Sequence, residues 1–332
     1  MAVKALIIKL GYSETLDPEI GRVPSLGDVL RTTPILSALK ERFEDSHITW
    51  LVSPQAEPLL NGNKLIDRIL IWDEFVPFQL MREKFDILIN LEKIPGLCAI
   101  SDMIDAWAKY GFRFDSVSGS WGAYERGQSF LQYILKKEID IKYVDYWQKV
   151  LVEMVGVDWK GQEYVLGYEP QSETTIDFGF NVEVGPKWQV KSLPRESWLR
   201  LEEMLRGAGY SVTWQQGKKN LYEYMDWINS SRILISNDSL GLHIAQAMGK
   251  PVVGLFGPTE PSEIFFYGPS KVIRPRADFD CSILPCYSAQ CSHTSLCMNN
   301  VDPEDIFHAA VESLTQSVRA ESENFKFETE AV

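Results

Sequence analysis

One stretch, residues 233–261, constrains the fold of this 332-residue chain more than any other. It opens with a short apolar run at residues 233–235, which is typical of a buried strand. A polar turn follows, and a helix is predicted over residues 240–248, closed by Gly249. A second apolar run at residues 252–256 predicts a second strand. Strand, helix and strand in this order indicate a βαβ unit with parallel strands.

The carboxyl ends of parallel strands and the amino end of their connecting helix meet at one edge of a sheet. Ligands of open α/β sheets bind at this edge, where free N–H groups and the helix dipole favour a phosphate. Asp238 or Ser239 is predicted to cap the helix with its side chain. We expect Asp238, Gly241 and Thr259 to face the ligand, with His243 one turn inside the helix. An ordinary βαβ unit with a core histidine is the alternative.

This stretch resembles the donor-binding signature of glycosyltransferase family 9, the ADP-heptose:lipopolysaccharide heptosyltransferases. The signature reads roughly N-D-[ST]-G-x-x-H-x-A-x-A-x-G-x-P, followed by F-G-x-T-x-P. The matching positions here are Asn237, Asp238, Ser239, His243, Ala245, Ala247, Gly249, Pro251, Phe256, Gly257, Thr259 and Pro261. One extra residue, Leu240, stands between Ser239 and Gly241, as it does in some relatives.

A second motif, SLGDVLRTTP at residues 25–34, lies between a predicted strand at residues 3–10 and a predicted helix at residues 35–43. A carboxylate at such a position can take a proton from a substrate hydroxyl, or it can only cap a helix. The motif resembles the N-terminal signature of the same family, S-[LIM]-G-D-[VI]-[LV]-x-[TS]-x-P. The aspartate of that signature is the family's proposed general base, and it matches Asp28. The loop at residues 11–24 is longer than relatives usually have.

A third segment, residues 184–194, is placed like the K-x-W-P segment of the family. A lysine there would neutralise the diphosphate of the donor as a flexible point charge. Lys191 fits the spacing best and Lys187 is the alternative, while Leu193 stands where the family usually has a tryptophan. A solvated surface lysine is the other interpretation.

The net charge of the chain limits the kinds of partner that it can bind. With 33 basic and 46 acidic residues the net charge is −13, which disfavours nucleic acid and broad adhesion to anionic lipid. No run of about 18 apolar residues is present, so nothing is expected to span a membrane. Five cysteines without an export signal favour a reducing, cytoplasmic compartment. At most, peripheral contact with the cytoplasmic face of the inner membrane is expected.

Four of the cysteines fall within 17 residues, at Cys281, Cys286, Cys291 and Cys297. Four close thiols suggest a structural zinc or iron site, although the spacings are wider than the usual C-x₂-C. Packed reduced thiols are the alternative. The sugar transfer that the family resemblance implies is not expected to need a metal or other cofactor if a lysine and helix dipoles hold the diphosphate of the donor.

The resemblance implies an α/β chain with the GT-B fold, in which two Rossmann-like, doubly wound domains face each other across a cleft. We expect an acceptor-binding domain at residues 1–165 and a donor-binding domain at residues 166–316. The acidic segment at residues 317–332 is predicted to be disordered.

The resemblance also implies an inverting transfer of a heptose, or a related sugar, from an ADP-sugar donor to a hydroxyl of a glycolipid or saccharide acceptor of the lipopolysaccharide-core type. Asp28 would be the catalytic base. The predicted donor-binding residues are Lys191, Asp238, Ser239, Gly241, His243, Gly257 and Thr259. The alternatives are another nucleotide-sugar, a protein or secondary-metabolite acceptor, or a non-catalytic sugar-nucleotide-binding protein. A dinucleotide-dependent oxidoreductase is disfavoured because no G-x-G-x-x-G follows a predicted strand.

Overall fold

The computed structural model describes residues 2–12, 24–128, 145–215 and 220–330. The chain divides into two compact units. The first consists of Met1–Glu169 and Ser262–Phe265, and the second of Pro170–Pro261 and Phe266–Val332. This division lies a few residues after the predicted boundary at residues 165–166. Most of the long loop at residues 11–24 lies outside the described residues.

The first unit contains a six-stranded sheet in the order β3-β2-β1-β4-β5-β6. Its strands are β1 (Val3–Ile8), β2 (Ser46–Val52), β3 (Arg68–Ile71), β4 (Lys84–Asn90), β5 (Asp105–Asp115) and β6 (Ser120–Ala123). The first five strands are parallel, and β6 is antiparallel to β5. The last four residues of β1 are buried, because a central parallel strand is covered on both faces.

The helices of the first unit are α1 (Leu26–Thr32), α2 (Pro34–Arg42), α3 (Val76–Leu80), α4 (Pro95–Met103) and α5 (Trp147–Met154). Only Thr33 separates α1 from α2. Pro34 therefore begins a helix rather than kinking one, and at this first position its missing N–H costs nothing.

The second unit contains a five-stranded parallel sheet in the order β11-β10-β9-β7-β8. Its strands are β7 (Ile176–Asn181), β8 (Val212–Trp214), β9 (Ser231–Asn237), β10 (Val252–Leu255) and β11 (Lys271–Ile273). Its helices are α6 (Arg195–Gly207), α7 (Leu221–Asn229), α8 (Leu240–Ala247) and α9 (Pro303–Glu330). A core that includes Phe178, Phe180 and Trp198 joins this sheet to α6 and α9.

Each sheet reverses its strand order next to the first strand of its unit. β1 lies between β2 and β4, and β7 lies between β8 and β9. The chain therefore leaves β1 and β4, and likewise β7 and β9, in opposite directions. This opens a crevice at the carboxyl edge of the sheet, which is where ligands of such sheets bind. Two doubly wound, parallel-sheet α/β units of this kind confirm the predicted fold class.

Two boundaries differ from the sequence-based expectation. β9 continues to Asn237, so Ser236 and Asn237 end the strand instead of forming a turn, and both are fully buried. α9 continues to Glu330, whereas the chain was expected to be disordered from residue 317; that segment has no proline or glycine to stop a helix. None of the helices in the described parts of the chain is long and apolar enough to cross a bilayer.

Candidate functional site

A closely spaced ion pair lies at the carboxyl edge of the second unit's sheet. Lys191 ends a short 3₁₀ helix after β7, and Asp238 directly follows β9. Lys191 Nζ lies 2.6 Å from Asp238 Oδ2, and the two side chains are 13% and 11% exposed. The strands that carry these residues flank the reversal of strand order. The predicted pair is therefore brought together at the expected ligand-binding edge, and part of it remains accessible.

Asp238 also joins a third loop to this edge. The hydroxyl of Thr259, from the loop after β10, donates a hydrogen bond of 2.7 Å to Asp238 Oδ2. Burial acts to raise the pKa of Asp238. The charge of Lys191 and its hydrogen bond, the charge of His243 and the hydrogen bond from Thr259 together lower this pKa by more, so it lies well below the usual range. An ionised Asp238 thus ties together the loops that follow β7, β9 and β10.

Lys191 is held from a second side by an aromatic ring. Its ammonium group lies 4.5 Å from the centre of the Trp188 ring, within the range of a cation–π interaction. An ammonium group has three N–H donors, so the contact with Asp238 leaves donors for a bound anion. Lys187, the alternative lysine, is exposed. The lysine favoured by the spacing is the one that the structure places beside Asp238.

The amino end of α8 is held by an amide rather than by the predicted cap. Ser239 is the N-cap residue, but neither its hydroxyl nor Asp238 caps the helix, so that prediction is wrong. The Ser239 hydroxyl instead accepts a hydrogen bond of 2.9 Å from the Asn181 side chain, which reaches it from the end of β7. Asn181 also donates to Ser236 Oγ at 2.8 Å, and its oxygen accepts from the Tyr224 hydroxyl at 2.6 Å.

Gly241 allows this close packing. A Cβ atom at Gly241 would overlap the hydroxyl of Tyr224 and lie 2.5 Å from Asn181 Nδ2. Only a glycine lets the first turn of α8 rest directly on the buried amide. Helix α8 begins two residues after Asp238, so its amino end lies next to the Lys191–Asp238 pair. Sequence reasoning missed Asn181 and Tyr224; the available signal was a polar residue that closes the apolar strand IDFGFN.

His243 and Gly257 support the structure around the Lys191–Asp238 pair. His243 is 4% exposed, one turn inside α8, and its charge contributes to the lowered pKa of Asp238. A Cβ atom at Gly257 would lie 2.6 Å from Met298 Sδ and 2.7 Å from Cys297 Sγ. The glycine therefore lets the loop of Thr259 pack against the cysteine segment. A direct contact of Gly257 with a ligand stays a prediction.

The four clustered cysteines line one mostly apolar pocket, together with Pro258 of the same loop. Cys297 is buried, and burial together with the neighbouring thiols raises its pKa to about 11. A metal binds the thiolate, which this environment disfavours. Across residues 2–12, 24–128, 145–215 and 220–330, no three His, Cys, Asp or Glu side chains are arranged to hold a metal ion. As placed, the four cysteines do not form the predicted metal-binding group: Cys297 is buried, Cys281 and Cys286 are partly buried, and Cys291 is exposed.

The predicted base lies at the corresponding edge of the first unit. Asp28 is the third residue of α1, 7% exposed, in the helix that follows β1. Ser25, not Asp28, occupies the N-cap position. The guanidinium of Arg31 lies 3.5 Å from Asp28 Oδ1 and 5.4 Å from the centre of the Trp147 ring. A carboxylate thus sits next to a cation at the carboxyl edge, beside the reversal of strand order. Its role as a base stays a prediction.

Comparison with known proteins agrees with this geometry. The model of glycosyltransferase family 9 (heptosyltransferase) matches residues 196–296, the region that carries Asp238 and Thr259. The lipopolysaccharide core heptosyltransferase OpsX of Haemophilus influenzae is 23% identical over 282 residues, which cover 72% of this chain and 78% of OpsX.

In its donor-binding region the chain is thus similar to glycosyltransferase family 9. A second relative, lipooligosaccharide heptosyltransferase 2 of Haemophilus influenzae, is 30% identical over 127 residues, and this match spans about a third of the relative, 35% of its length. The fold of E. coli ADP-heptose lps heptosyltransferase II superimposes with a TM-score of 0.67 at 14% identity, covering 95% of this chain and 99% of that one.

Proposed function

We propose that this chain is a glycosyltransferase of family 9, which moves a heptose, or a closely related sugar, from an ADP-sugar to a hydroxyl of a lipopolysaccharide-core saccharide. The names of OpsX and of the E. coli enzyme support this choice of donor and acceptor. The observation in this chain that carries the proposal is the meeting of Lys191, Asp238 and Thr259 beside the amino end of α8.

The donor diphosphate is proposed to bind at the amino end of α8. The first N–H groups of the helix have no intrahelical partner, and the helix dipole favours an anion there. Lys191 adds a full positive charge, which Asp238 and Trp188 hold in one position before the ligand arrives. A preorganised side chain loses less conformational entropy on binding. The other predicted donor residues, Ser239, Gly241, His243 and Gly257, shape this edge.

Asp28 is proposed as the general base of a single displacement. Its carboxylate takes the proton of the acceptor hydroxyl while that oxygen forms a bond to the anomeric carbon. The bond between the anomeric carbon and the diphosphate oxygen breaks, and the nucleoside diphosphate leaves. Lys191 and the N–H groups of α8 stabilise its growing negative charge. One displacement of this kind inverts the anomeric configuration.

A thermal-shift titration with ADP, UDP, GDP and NAD tests the donor assignment. Because a ligand that binds only the folded state stabilises it by about 2.7 kcal/mol at 100 times its Kd, ADP is expected to raise the Tm clearly. Stabilisation by UDP or GDP alone would indicate a different nucleotide-sugar. Absence of any response would reject the donor site.

Replacement of Asp28 tests the mechanism. In an assay with ADP-heptose and a lipopolysaccharide-core acceptor, Asp28→Asn is expected to lower kcat by about 10²–10⁴-fold, the usual contribution of a general base. The affinity for ADP should not change, because Asp28 belongs to the first unit and the proposed ADP site to the second. An unchanged kcat would reject the base, and an unchanged anomeric configuration in the product would reject single displacement.

A further inference from the structure

A second ion pair lies at the carboxyl edge of the first unit's sheet, and the proposed reaction does not use it. Lys9 follows β1 and Glu92 follows β4, the two strands that flank the reversal of strand order. Lys9 Nζ lies 3.7 Å from Glu92 Oε1, and the side chains are 0% and 1% exposed. Removing two charges from water this completely costs several kcal/mol per ion, as an order of magnitude. The hydrogen bonds of the pair show what it does there.

Glu92 and Lys9 fix the backbone at the end of β1. Glu92 Oε1 accepts hydrogen bonds from the N–H groups of Leu10, Gly11 and Tyr12, at 2.6, 3.0 and 3.4 Å. Lys9 Nζ donates to the carbonyl oxygen of Tyr12 at 2.9 Å. Three consecutive peptide groups are therefore held by one carboxylate, with Gly11 at a φ of +108°, a conformation that favours glycine.

Two backbone hydrogen bonds lead from Gly11 to Asp28. The carbonyl oxygen of Gly11 accepts from the N–H of Ser25 at 2.6 Å, and the carbonyl oxygen of Ser25 accepts from the N–H of Asp28 at 3.0 Å. Helix α1 also packs against Gly11, where a Cβ atom would lie 3.1 Å from Val29 Cγ2. The location of the helix that carries Asp28 thus depends on the conformation that Glu92 imposes on Gly11.

We propose that Lys9 and Glu92 are positioning residues for the base Asp28. This inference rests on the proposed role of Asp28. A general base must lie within hydrogen-bond reach of the proton that it removes, and a misplacement of about 1 Å can cost about 100-fold in rate. Burial raises the pKa of Glu92, while Lys9 and the three backbone N–H groups favour its ionised form. Charge-assisted hydrogen bonds are shorter and stronger than neutral ones, so Glu92 in its ionised form holds the backbone more tightly than an amide would.

Glu92→Gln is the sharpest single test, because it keeps the shape and one acceptor oxygen but removes the charge. We expect kcat to fall by about 10–100-fold, while the KM for the donor stays unchanged. The matched control is Asp67→Asn. Asp67 also accepts a backbone N–H, from Ile48 at 2.7 Å, and pairs with Lys40 at 3.2 Å, but it lies at the amino edge of the same sheet. This control is expected to lower Tm and to leave kcat unchanged.

A double-mutant cycle with Asp28 separates positioning from general destabilisation. In an Asp28→Asn background, Glu92→Gln should lower kcat no further, because both residues act through one carboxylate. An equal loss of kcat in both backgrounds would overturn the inference, as would a loss of Tm alone like that of Asp67→Asn. A normal kcat for Asp28→Asn itself would instead refute the proposed function.

The double variant Lys9→Met/Glu92→Gln provides the test if the single variant Glu92→Gln does not fold. It leaves no uncompensated buried charge, so the fold should tolerate it better than either single change. The backbone after β1 is then held only by neutral hydrogen bonds, and kcat is expected to stay about 10-fold or more below wild type with an unchanged donor KM. Wild-type kcat in this variant would overturn the inference.

Discussion

The two sheets place a lysine and an acid at the same topological position, after the two strands that flank the reversal of strand order. In the first unit Lys9 and Glu92 lie 3.7 Å apart and are sealed from water. In the second unit Lys191 and Asp238 lie 2.6 Å apart and are 13% and 11% exposed. The first pair holds backbone in place, whereas the second remains partly exposed.

The difference arises from what else each acid contacts. Glu92 directs one oxygen at three backbone N–H groups, which closes the chain around it. Asp238 accepts from the Thr259 hydroxyl, on a loop at the edge of the sheet, and leaves Lys191 at the surface of the crevice. The same topological position therefore serves to position a loop in one unit and to present a cation in the other.

Replacing Lys9 or Lys191 by methionine, in separate variants, should show the largest difference between the two ion pairs. Lys9→Met leaves Glu92 buried without its partner, which is expected to lower the free energy of unfolding by about 3–5 kcal/mol. Lys191→Met removes the charged hydrogen bond that is proposed to hold the diphosphate, and we expect ADP affinity to fall by about 10–100-fold, since such bonds contribute about 1.5–3 kcal/mol. Urea unfolding and ADP titration of both variants measure the two effects.

The comparison of the two lysines would fail if the variants behaved alike. Equal losses of stability would mean that accessibility does not distinguish the two pairs. Weaker ADP binding by a folded Lys9→Met protein would mean that the first pair also serves the donor.

Two glycine substitutions should give an intermediate effect. Gly241→Ala forces the first turn of α8 away from Asn181, and we expect it to cost about 1–3 kcal/mol of stability and to weaken ADP binding. Gly11→Ala strains a residue with a φ of +108° and is expected to cost about 1–3 kcal/mol while lowering kcat rather than ADP affinity.

The matched controls are Gly207→Ala and Gly96→Ala, where an added Cβ atom meets nothing within 4 Å. Both should leave ADP binding and kcat at wild-type values. If a control lost as much stability or activity as Gly241→Ala or Gly11→Ala in the same unit, adding a methyl group anywhere in that unit would be harmful. The argument from close packing would then be withdrawn.

The pH dependence of stability should show the smallest effect. The folded-state pKa of Asp238 lies below its unfolded value, so its contribution to stability is present above the unfolded pKa of about 3.9 and is lost as the pH falls through the folded pKa. The stability difference between wild type and Asp238→Asn should therefore shrink as the pH is lowered from about 5 to about 2. Urea unfolding across this range measures it. A constant difference would contradict the lowered pKa.

Much of the fold could be predicted from local patterns. The apolar run at the end of β1, the start of α2 at Pro34 and the strand–helix–strand unit around Asp238 all depend on residues that are neighbours in the chain. The position of Asp28 and Asp238 at the carboxyl edges follows from the same patterns and the rules of parallel sheets. The end of β9 differs from the prediction, because Asn237 is polar and yet buried: its side chain donates to the carbonyl oxygen of Val182 and accepts from the N–H of Leu193.

The sequence by itself determined the α/β class, the order of the elements and the family motifs. Only the tertiary structure decided that Glu92 seals Lys9, that Asn181 and Tyr224 anchor α8, and that the cysteines line a pocket without forming a metal-binding group. Helical and strand periodicity can be observed along a chain. Burial and the partners of a charge depend on side chains that arrive from distant segments, so they exist only once the chain has folded.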